Sequence, residues 1–123
     1  IRDYKVTGVQ TCALPISSYN PSQHTVYRLA RYENVAVLLS GQYAFAKEAY
    51  PYRDLMGWHR TLYSDFGPHR LMWASDAPWI YGEPGYGALT TVLDELLPQL
   101  SESERAAIMG GTAQRFLRFP MRG

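Results

Sequence analysis

Two short apolar segments, each followed by a helical pattern, constrain the fold of this 123-residue chain most. Residues 35–39 end at Ser40-Gly41, and residues 70–75, with an apolar centre, end at Asp76. Short apolar runs rich in β-branched or aromatic residues are typical of strands that are covered on both faces of a parallel sheet. Parallel strands need a crossover, and a helix predicted over residues 51–66 supplies it. The sequence therefore predicts an α/β fold with the element order α, β, α, β, α, α.

The helices before and between the strands are predicted from the spacing of apolar residues and from residues that typically begin or end a helix. Ser22 can cap a first helix that runs to about Tyr32. The second helix is indicated by apolar residues at spacings of three and four, namely Leu55, Trp58, Leu62 and Phe66. Pro51 can lie in its first turn, and Gly67-Pro68 ends it.

The C-terminal helices carry a similar pattern. The inward residues of a third helix are Leu89, Leu93, Leu96 and Leu97. Ser101 and Glu104 have the spacing of a capping box for a fourth helix. Gly110-Gly111 is predicted to interrupt this helix, and Thr112 can cap a last short one. Two strands cannot form a stable parallel sheet by themselves, so further strands must come from elsewhere.

The first residues lack a clear period of 2 or 3.6, and the run VTGVQTCALPI resembles the translation of a sequencing-library adapter. We therefore expect residues 1–17 to lie outside the fold and residues 18–120 to hold the domain. The alternative is a genuine N-terminal strand and loop. Because Arg2, Lys5, Asp3 and Cys12 lie in the first segment, the remainder has equal numbers of acidic and basic residues and no cysteine.

Composition excludes several classes of protein. The chain carries 12 basic and 11 acidic residues, which is no electrostatic footprint for nucleic acid. It has no apolar run long enough to span a membrane. One cysteine excludes a disulfide framework and a four-cysteine zinc site. We expect a small-molecule substrate, no nucleic-acid or membrane partner and a cytoplasmic location, with the oligomeric state open.

Three polar residues follow the two strands. Ser40 comes after the first strand, and Ser75 and Asp76 come after the second. Reactive groups of α/β proteins cluster beyond the carboxyl ends of the strands. Asp76 stands between Trp73 and Trp79, where partial desolvation would suit it to proton transfer or to metal binding. The alternative is that Asp76 only caps the turn, since Asp-x-Pro is ordinary turn chemistry.

Three blocks of the chain resemble the amidohydrolase-related (amidohydrolase 2) family. Residues 66–79, FGPHRLMWASDAPW, are similar to the family's last barrel strand, F-G-x-x-R-L-M-W-G-S-D-x-P. Residues 34–41, NVAVLLSG, resemble its preceding strand, N-V-x-V-K-L-S-G. Residues 101–119 resemble its closing helix, with G-T-A-Q-R where the family is nearer to G-N-A-x-R-L. The likeness covers residues 19–120, with the blocks in the family's order.

The resemblance implies a (β/α)8 TIM barrel, which takes about 250 residues, so this chain would supply the last two βα units and the C-terminal helices. Family members hydrolyse lactones or amides, or decarboxylate aromatic and related acids. The aspartate after the last strand activates water or binds the metal, and this role carries over to Asp76. Leu38 replaces the family's lysine, and Ala74 replaces its glycine.

The resemblance also implies a divalent metal, often zinc, in the intact parent protein. A catalytic zinc takes three protein ligands, of which Asp76 is at most one here. The other ligands, an H-x-H pair and further histidines, lie outside this chain. His24 and His59 fall on predicted helices and His69 in a turn, so all three are expected at the surface. We therefore expect this chain not to hold the metal and to be inactive in isolation.

The predicted function is thus that of a hydrolase in which Asp76 is the general base and water attacks the carbonyl of a lactone or amide. The alternatives are a metal-dependent decarboxylase on the same fold and a non-catalytic truncated chain. Trp79 is the candidate lining residue of the substrate pocket, with Ser40 and Ser75 as minor polar contacts. The other aromatic residues of the two loops either line the pocket or pack the loops on the rim, and they are Tyr43, Tyr50, Tyr52, Tyr81 and Tyr86.

Overall fold

A three-stranded parallel sheet lies at the centre of the fold. The computed structural model describes residues 9–11 and 25–120. The sheet order is β1 (Val9–Thr11), β2 (Ala36–Leu39) and β3 (Leu71–Trp73), so β2 is the central strand. β2 and β3 pair in parallel with Leu39 opposite Trp73, which brings their carboxyl ends side by side. The two strands predicted from the sequence are confirmed, each with narrower bounds.

Short helices surround the sheet. The α-helices are α1 (Thr25–Arg28), α2 (Gln42–Phe45), α3 (Met56–Phe66), α4 (Tyr86–Leu89), α5 (Val92–Leu96), α6 (Glu102–Ala106) and α7 (Thr112–Phe116). The 3-10 helices are Leu29–Arg31, Arg53–Leu55, Pro68–Arg70 and Trp79–Tyr81. The described part of the chain is thus mixed α/β and mostly helical. None of these helices is long and apolar enough to cross a membrane.

The crossover helix α3 packs one face of the sheet. Its buried residues include Trp58, Leu62 and Phe66, as the spacing predicts. They join Val37 of β2 and Leu71 of β3 in one apolar cluster. Burying a large apolar side chain stabilises a fold by about 1.5–3 kcal/mol, so this face anchors α3 against both strands. Gly67 ends the helix with φ at 76°, in the left-handed region that glycine adopts easily.

A second apolar cluster contains the loops that follow the strands. Its buried members are Tyr52, Leu55, Ile80, Leu89, Val92 and Leu96. Ile80 lies in the loop after β3, and Tyr52 and Leu55 follow the loop after β2. Because both loops contribute to one cluster, they are packed together rather than free to move apart.

A short N-terminal strand completes the described sheet, while the expectation that residues 1–17 lie outside the fold stays a prediction. Val9–Thr11 pair with β2 in parallel, with Val9 opposite Ala36. A strand edge offers unpaired N–H and C=O groups, and an extended segment of any sequence can satisfy them. The adapter origin of residues 1–16 stays a prediction. Ser22 and His24 lie outside the described residues.

The C-terminal helices correct the prediction of a break at Gly110-Gly111. Residues Ala107–Gly111 continue α6 as a π-helix that passes directly into α7. Thr112 is buried and its hydroxyl donates a hydrogen bond to the Pro68 carbonyl at 2.7 Å, so it does not cap a new helix. The capping box is confirmed, since Ser101 Oγ accepts from the Glu104 N–H and Glu104 Oε2 accepts from the Ser101 N–H.

The surface position expected for His59 is wrong. His59 is fully buried in α3. It lies four residues after Leu55 and three before Leu62, which places it on the apolar stripe of the helix rather than on the solvent face. His69 is exposed in the turn before β3, as expected.

Candidate active site

The site lies where β2 and β3 end. The Ala74 N–H donates to the Leu39 carbonyl at 3.3 Å, which keeps the chains together one residue beyond β3. Two segments, Ser40 to Tyr43 and Ala74 to Asp76, therefore leave the sheet at the same place. We call this place the carboxyl edge, because it is formed by the carboxyl ends of β2 and β3. This edge corresponds to the place where the sequence predicts reactive groups.

Asp76 and Tyr43 form the central contact of this edge. The Tyr43 hydroxyl donates a hydrogen bond to Asp76 Oδ2 at 2.5 Å. No other side chain of the described residues donates to this carboxylate, so Oδ1 is open. A carboxylate with one oxygen fixed and the other open can accept a proton in a defined direction.

Backbone conformation brings the two side chains together. Asp76 has φ at 60°, a left-handed conformation that aspartate tolerates better than most residues. Gly41 has φ at 72°, and a Cβ atom there would lie 3.3 Å from Phe45 and 3.7 Å from Asp76 Oδ2. A larger residue at Gly41 would therefore be strained by the positive φ and would press on the Phe45 ring, while it would only touch the carboxylate.

The Tyr43 hydroxyl is firmly protonated. Its pKa is raised from 10.0 to about 12, first by burial and then by the hydrogen bond to Asp76 and the negative charge of that carboxylate. Each cause disfavours the phenolate. Tyr43 is therefore a hydrogen-bond donor to Asp76 across the range of physiological pH.

A buried histidine anchors the helix that carries Tyr43. His59 Nδ1 lies 3.0 Å from the Leu55 carbonyl, which assigns the proton to Nδ1 and leaves Nε2 as acceptor. Gln42 Nε2 lies 3.4 Å from His59 Nε2 and can donate to it. Burial lowers the His59 pKa from 6.5 to about 4, against the raising effect of the Leu55 carbonyl, so the ring is neutral. Gln42 precedes Tyr43 in α2, so this pair holds the start of that helix on α3.

Arg70 ties the opposite ends of the two strands together. Its guanidinium donates to the carbonyls of Tyr32 at 2.8 Å and Phe66 at 3.3 Å, and it stacks on the Phe66 ring at 5.1 Å. Tyr32 precedes β2 and Arg70 precedes β3. The Arg70 side chain therefore helps to fix the register of β3 against β2. The hydrogen bond between Tyr43 and Asp76 depends on this register.

The other predicted site residues lie near the same edge with different environments. Ser75 Oγ accepts a hydrogen bond from the Ala77 N–H at 3.3 Å, so it is part of the turn, and Ser40 is half-buried beside Gly41. Trp79 is 74% exposed. The expected desolvation of Asp76 by the tryptophans is not present among the described residues, because the turn leaves both Asp76 and Trp79 at the surface.

A groove of about 530 Å³ opens beside Tyr43. It is lined by Tyr43, Glu48, Ala49, Tyr50, Tyr52, Glu83 and Pro84. Three of the loop tyrosines thus line a cavity, and Glu83 of the second loop contributes a carboxylate. Trp79 is not among the lining residues, so its role in substrate binding stays a prediction.

The described residues do not fit a metal centre. Across residues 9–11 and 25–120, no group of three His, Cys, Asp or Glu side chains could hold a metal ion. His59 is buried in the core with its Nε2 facing Gln42, and Asp76 accepts a hydrogen bond from the Tyr43 hydroxyl. Any metal would need ligands from outside this part of the chain.

Comparison with known proteins gives a consistent result. A family model described as Amidohydrolase matches residues 12–119, which is most of the chain. No match was found among curated proteins. A solved structure of an amidohydrolase from Burkholderia multivorans with bound zinc is similar, with 29% identity and a TM-score of 0.68 over 77% of this chain and 36% of that one.

Two more distant structures share the fold. A protein of Agrobacterium tumefaciens has 18% identity and a TM-score of 0.70 over 88% of this chain and 39% of its own. A Pseudomonas putida protein named as a 2-pyrone-4,6-dicarboxylic acid hydrolase has 22% identity and a TM-score of 0.68 over 85% of this chain and 40% of its own. This chain thus spans well under half of the structures that it matches.

Proposed function

This chain belongs to the amidohydrolase family, and from that premise we propose that it is the closing part of a TIM-barrel hydrolase whose Asp76 activates water. The chain would provide the last two βα units and the C-terminal helices, and the longer protein would provide the other strands. The observation that carries the proposal is the hydrogen bond between Tyr43 and Asp76 at the shared carboxyl edge of β2 and β3.

The proposed step is attack of water on the carbonyl carbon of a lactone or amide. The open Oδ1 of Asp76 takes a proton from the water as its oxygen bonds to that carbon. The carbon–oxygen bond of the lactone, or the carbon–nitrogen bond of the amide, then breaks. The proton passes from Asp76 to the leaving oxygen or nitrogen, which regenerates the carboxylate.

Tyr43 is a positioning residue in this scheme. Its hydroxyl occupies Oδ2 at 2.5 Å, so it selects which oxygen of Asp76 faces the water. General-base catalysis depends on such orientation, because proton transfer needs hydrogen-bond distance and direction. Ser40, Ser75 and Trp79 are proposed to contact the substrate from the same edge.

A divalent metal, with zinc as the candidate, is proposed for the longer protein rather than for this chain. The zinc-bound Burkholderia multivorans structure supports a metal in the family. The described residues do not provide a ligand set for it. We propose that the isolated chain does not turn over substrate, because the remaining walls of the site lie elsewhere. The decarboxylase alternative rests on the same missing ligands, and no contact of the described residues favours it.

The test is the substitution Asp76→Asn in the longer protein. Removal of a general base lowers kcat by about 100-fold or more, because this form of catalysis contributes roughly 10²–10⁴. Turnover is measured on the lactone or amide that the parent hydrolyses fastest in a panel. The control is Asp65→Asn, an exposed carboxylate at the end of α3, which should leave kcat within about twofold.

A second readout checks the geometry without turnover. In the 123-residue chain, ¹³Cζ NMR of tyrosine should show that Tyr43 is still protonated at a pH where exposed phenols have ionised, as its pKa of about 12 requires. Asp76→Asn removes the negative charge and should move this titration towards the ordinary value. Assignment comes from Tyr43→Phe. The proposal is contradicted if Asp76→Asn turns over substrate at a near-normal rate. It is also contradicted if the pKa of Tyr43 is the same in Asp76→Asn as in the unsubstituted chain.

A further inference from the structure

The groove beside Tyr43 has a composition that selects for charge. We propose that it binds a cationic group, a primary ammonium carried next to an apolar ring or chain, on the substrate or on a ligand of the same edge. The proposal takes the groove to be part of the site proposed above, but the binding it describes does not require turnover.

Tyr52 provides the first observation. The residue is 4% exposed, yet its hydroxyl makes no hydrogen bond to any described residue and is not among the fully enclosed polar atoms. A buried tyrosine normally finds a partner for its hydroxyl. Because Tyr52 lines the groove, its oxygen is open to whatever occupies the groove and can accept a hydrogen bond from an N–H donor.

The aromatic rings provide the second observation. Tyr50 and Tyr52 pack edge to face, with ring centroids 5.6 Å apart and an interplanar angle of 81°. The Tyr50 hydroxyl is engaged by the Ala88 carbonyl at 3.0 Å, which fixes that ring in place. Together with Tyr43, these rings form preorganised apolar and π surface, to which a cation is attracted electrostatically.

The charges provide the third observation. Two carboxylates, Glu48 and Glu83, line the groove, and among the described residues no Lys, Arg or His lines it. Asp76 adds a further negative charge through Tyr43. The nearby Arg53 is engaged elsewhere, since it pairs with Glu95 at 3.3 Å. A carboxylate ligand would be repelled at this groove, whereas an ammonium would be attracted by the rings and by both glutamates.

A second groove offers the opposite charge. It measures about 500 Å³, lies against α7 and is lined by Gly111, Gln114, Arg115, Arg118 and Phe119. Anionic probes are therefore expected there and not beside Tyr43. The difference provides an internal comparison within the same molecule.

The experiment compares three probes of nearly equal size, namely benzylammonium, benzyl alcohol and benzoate. Each is titrated into the ¹⁵N-labelled full chain at low ionic strength, and binding is followed through the backbone N–H groups of the non-proline residues in 43–52 and 82–85. Benzylammonium should shift these amides with a dissociation constant about tenfold or more below that of benzyl alcohol, since two charge contacts add. Benzoate should not change the chemical shifts of these amides.

Variants assign the effect to named groups. Glu48→Gln and Glu83→Gln should each weaken benzylammonium binding about two- to fivefold, with little effect on benzyl alcohol. Tyr52→Phe keeps the ring and removes only the acceptor, so it should weaken benzylammonium binding by a similar factor. Glu33→Gln is the matched control, because Glu33 is exposed before β2 at the opposite end of the strand, and it should change nothing.

The outcomes separate this inference from the proposed function. Equal binding of benzyl alcohol and benzylammonium, binding of benzoate at the groove, or unchanged affinity in both glutamate variants overturns the cationic preference. None of these results bears on Asp76 as a base. Conversely, full turnover in Asp76→Asn overturns the proposed function and leaves a selective ammonium groove unaffected.

Discussion

Asp76 owes its place to residues that are distant in the sequence. Tyr43, which lies 33 positions earlier, donates to its carboxylate, and Gly41 leaves room beside it. His59 acts one step further away, because its neutral ring accepts from Gln42 at the start of α2. The acceptor on Nε2 exists only while the ring is uncharged, so this histidine makes the anchor of α2 sensitive to acid.

His59 should make the stability of the fold depend on pH. Its pKa is lowered from 6.5 to about 4 by burial, so the unfolded chain binds the proton more readily than the folded one. The free energy of unfolding should be unaffected by this group above about pH 6.5 and should fall as the pH drops from there towards about 4. The loss approaches about 3 kcal/mol.

The measurement is urea unfolding at pH 7 and at pH 4.5, with His59→Gln as the comparison. The variant is less stable at pH 7, but it should lack most of the decrease between the two pH values. Because other groups also titrate, the difference between the two proteins is the relevant quantity. An equal decrease in both, or a His59 ring signal that titrates above pH 6, contradicts the prediction.

Local sequence patterns predicted most of the helices and strands. The strands and the buried face of α3 followed from runs and spacings that are contained in a few residues. The break at Gly110-Gly111 was wrong because the closing helix is held from outside, through Thr112 and the turn before β3. Likewise, the spacing of four from Leu55 could have placed His59 in the core, whereas nothing local could have paired Tyr43 with Asp76.

The Thr112 hydroxyl should contribute measurably to stability. Thr112→Val keeps the shape of the side chain but removes the hydroxyl that donates to the Pro68 carbonyl at 2.7 Å. The substitution should lower the free energy of unfolding by about 1–3 kcal/mol, because the carbonyl is left unpaired next to a buried residue. Urea denaturation provides the measurement.

Thr61→Val is the matched control for that substitution. The Thr61 hydroxyl donates to the Gly57 carbonyl within α3, near the surface, so its loss should cost less than about 0.5 kcal/mol. If the two variants lose equal stability, the contact between the closing helix and the turn before β3 contributes nothing specific.

The described sheet has two open edges. β3 has a neighbour on one side only, and β1 has β2 alone. The related structures are more than twice as long as the segment that matches them. The substrate could not be predicted from this sequence, because in the proposed barrel both closure and the metal ligands would come from strands outside the described residues.

These open edges should make the isolated chain self-associate. The 123-residue chain should associate as its concentration rises and should melt over a broad range, since open parallel strands are poorly stabilised and adhere to other strands. Sedimentation velocity over a range of concentrations and circular dichroism on heating test this. A compact monomer with a sharp melting transition would show that residues 1–123 form a self-sufficient domain.

The pairing of Val9–Thr11 with β2 has a consequence for the sequence of these residues. Main-chain hydrogen bonds of a parallel ladder use groups that nearly every amino acid possesses, so a neighbour can be accepted without regard to its side chains. Substitutions at residues 9–11 that keep the backbone N–H should therefore leave the pairing with β2 in place, so this edge of the sheet can tolerate sequence change.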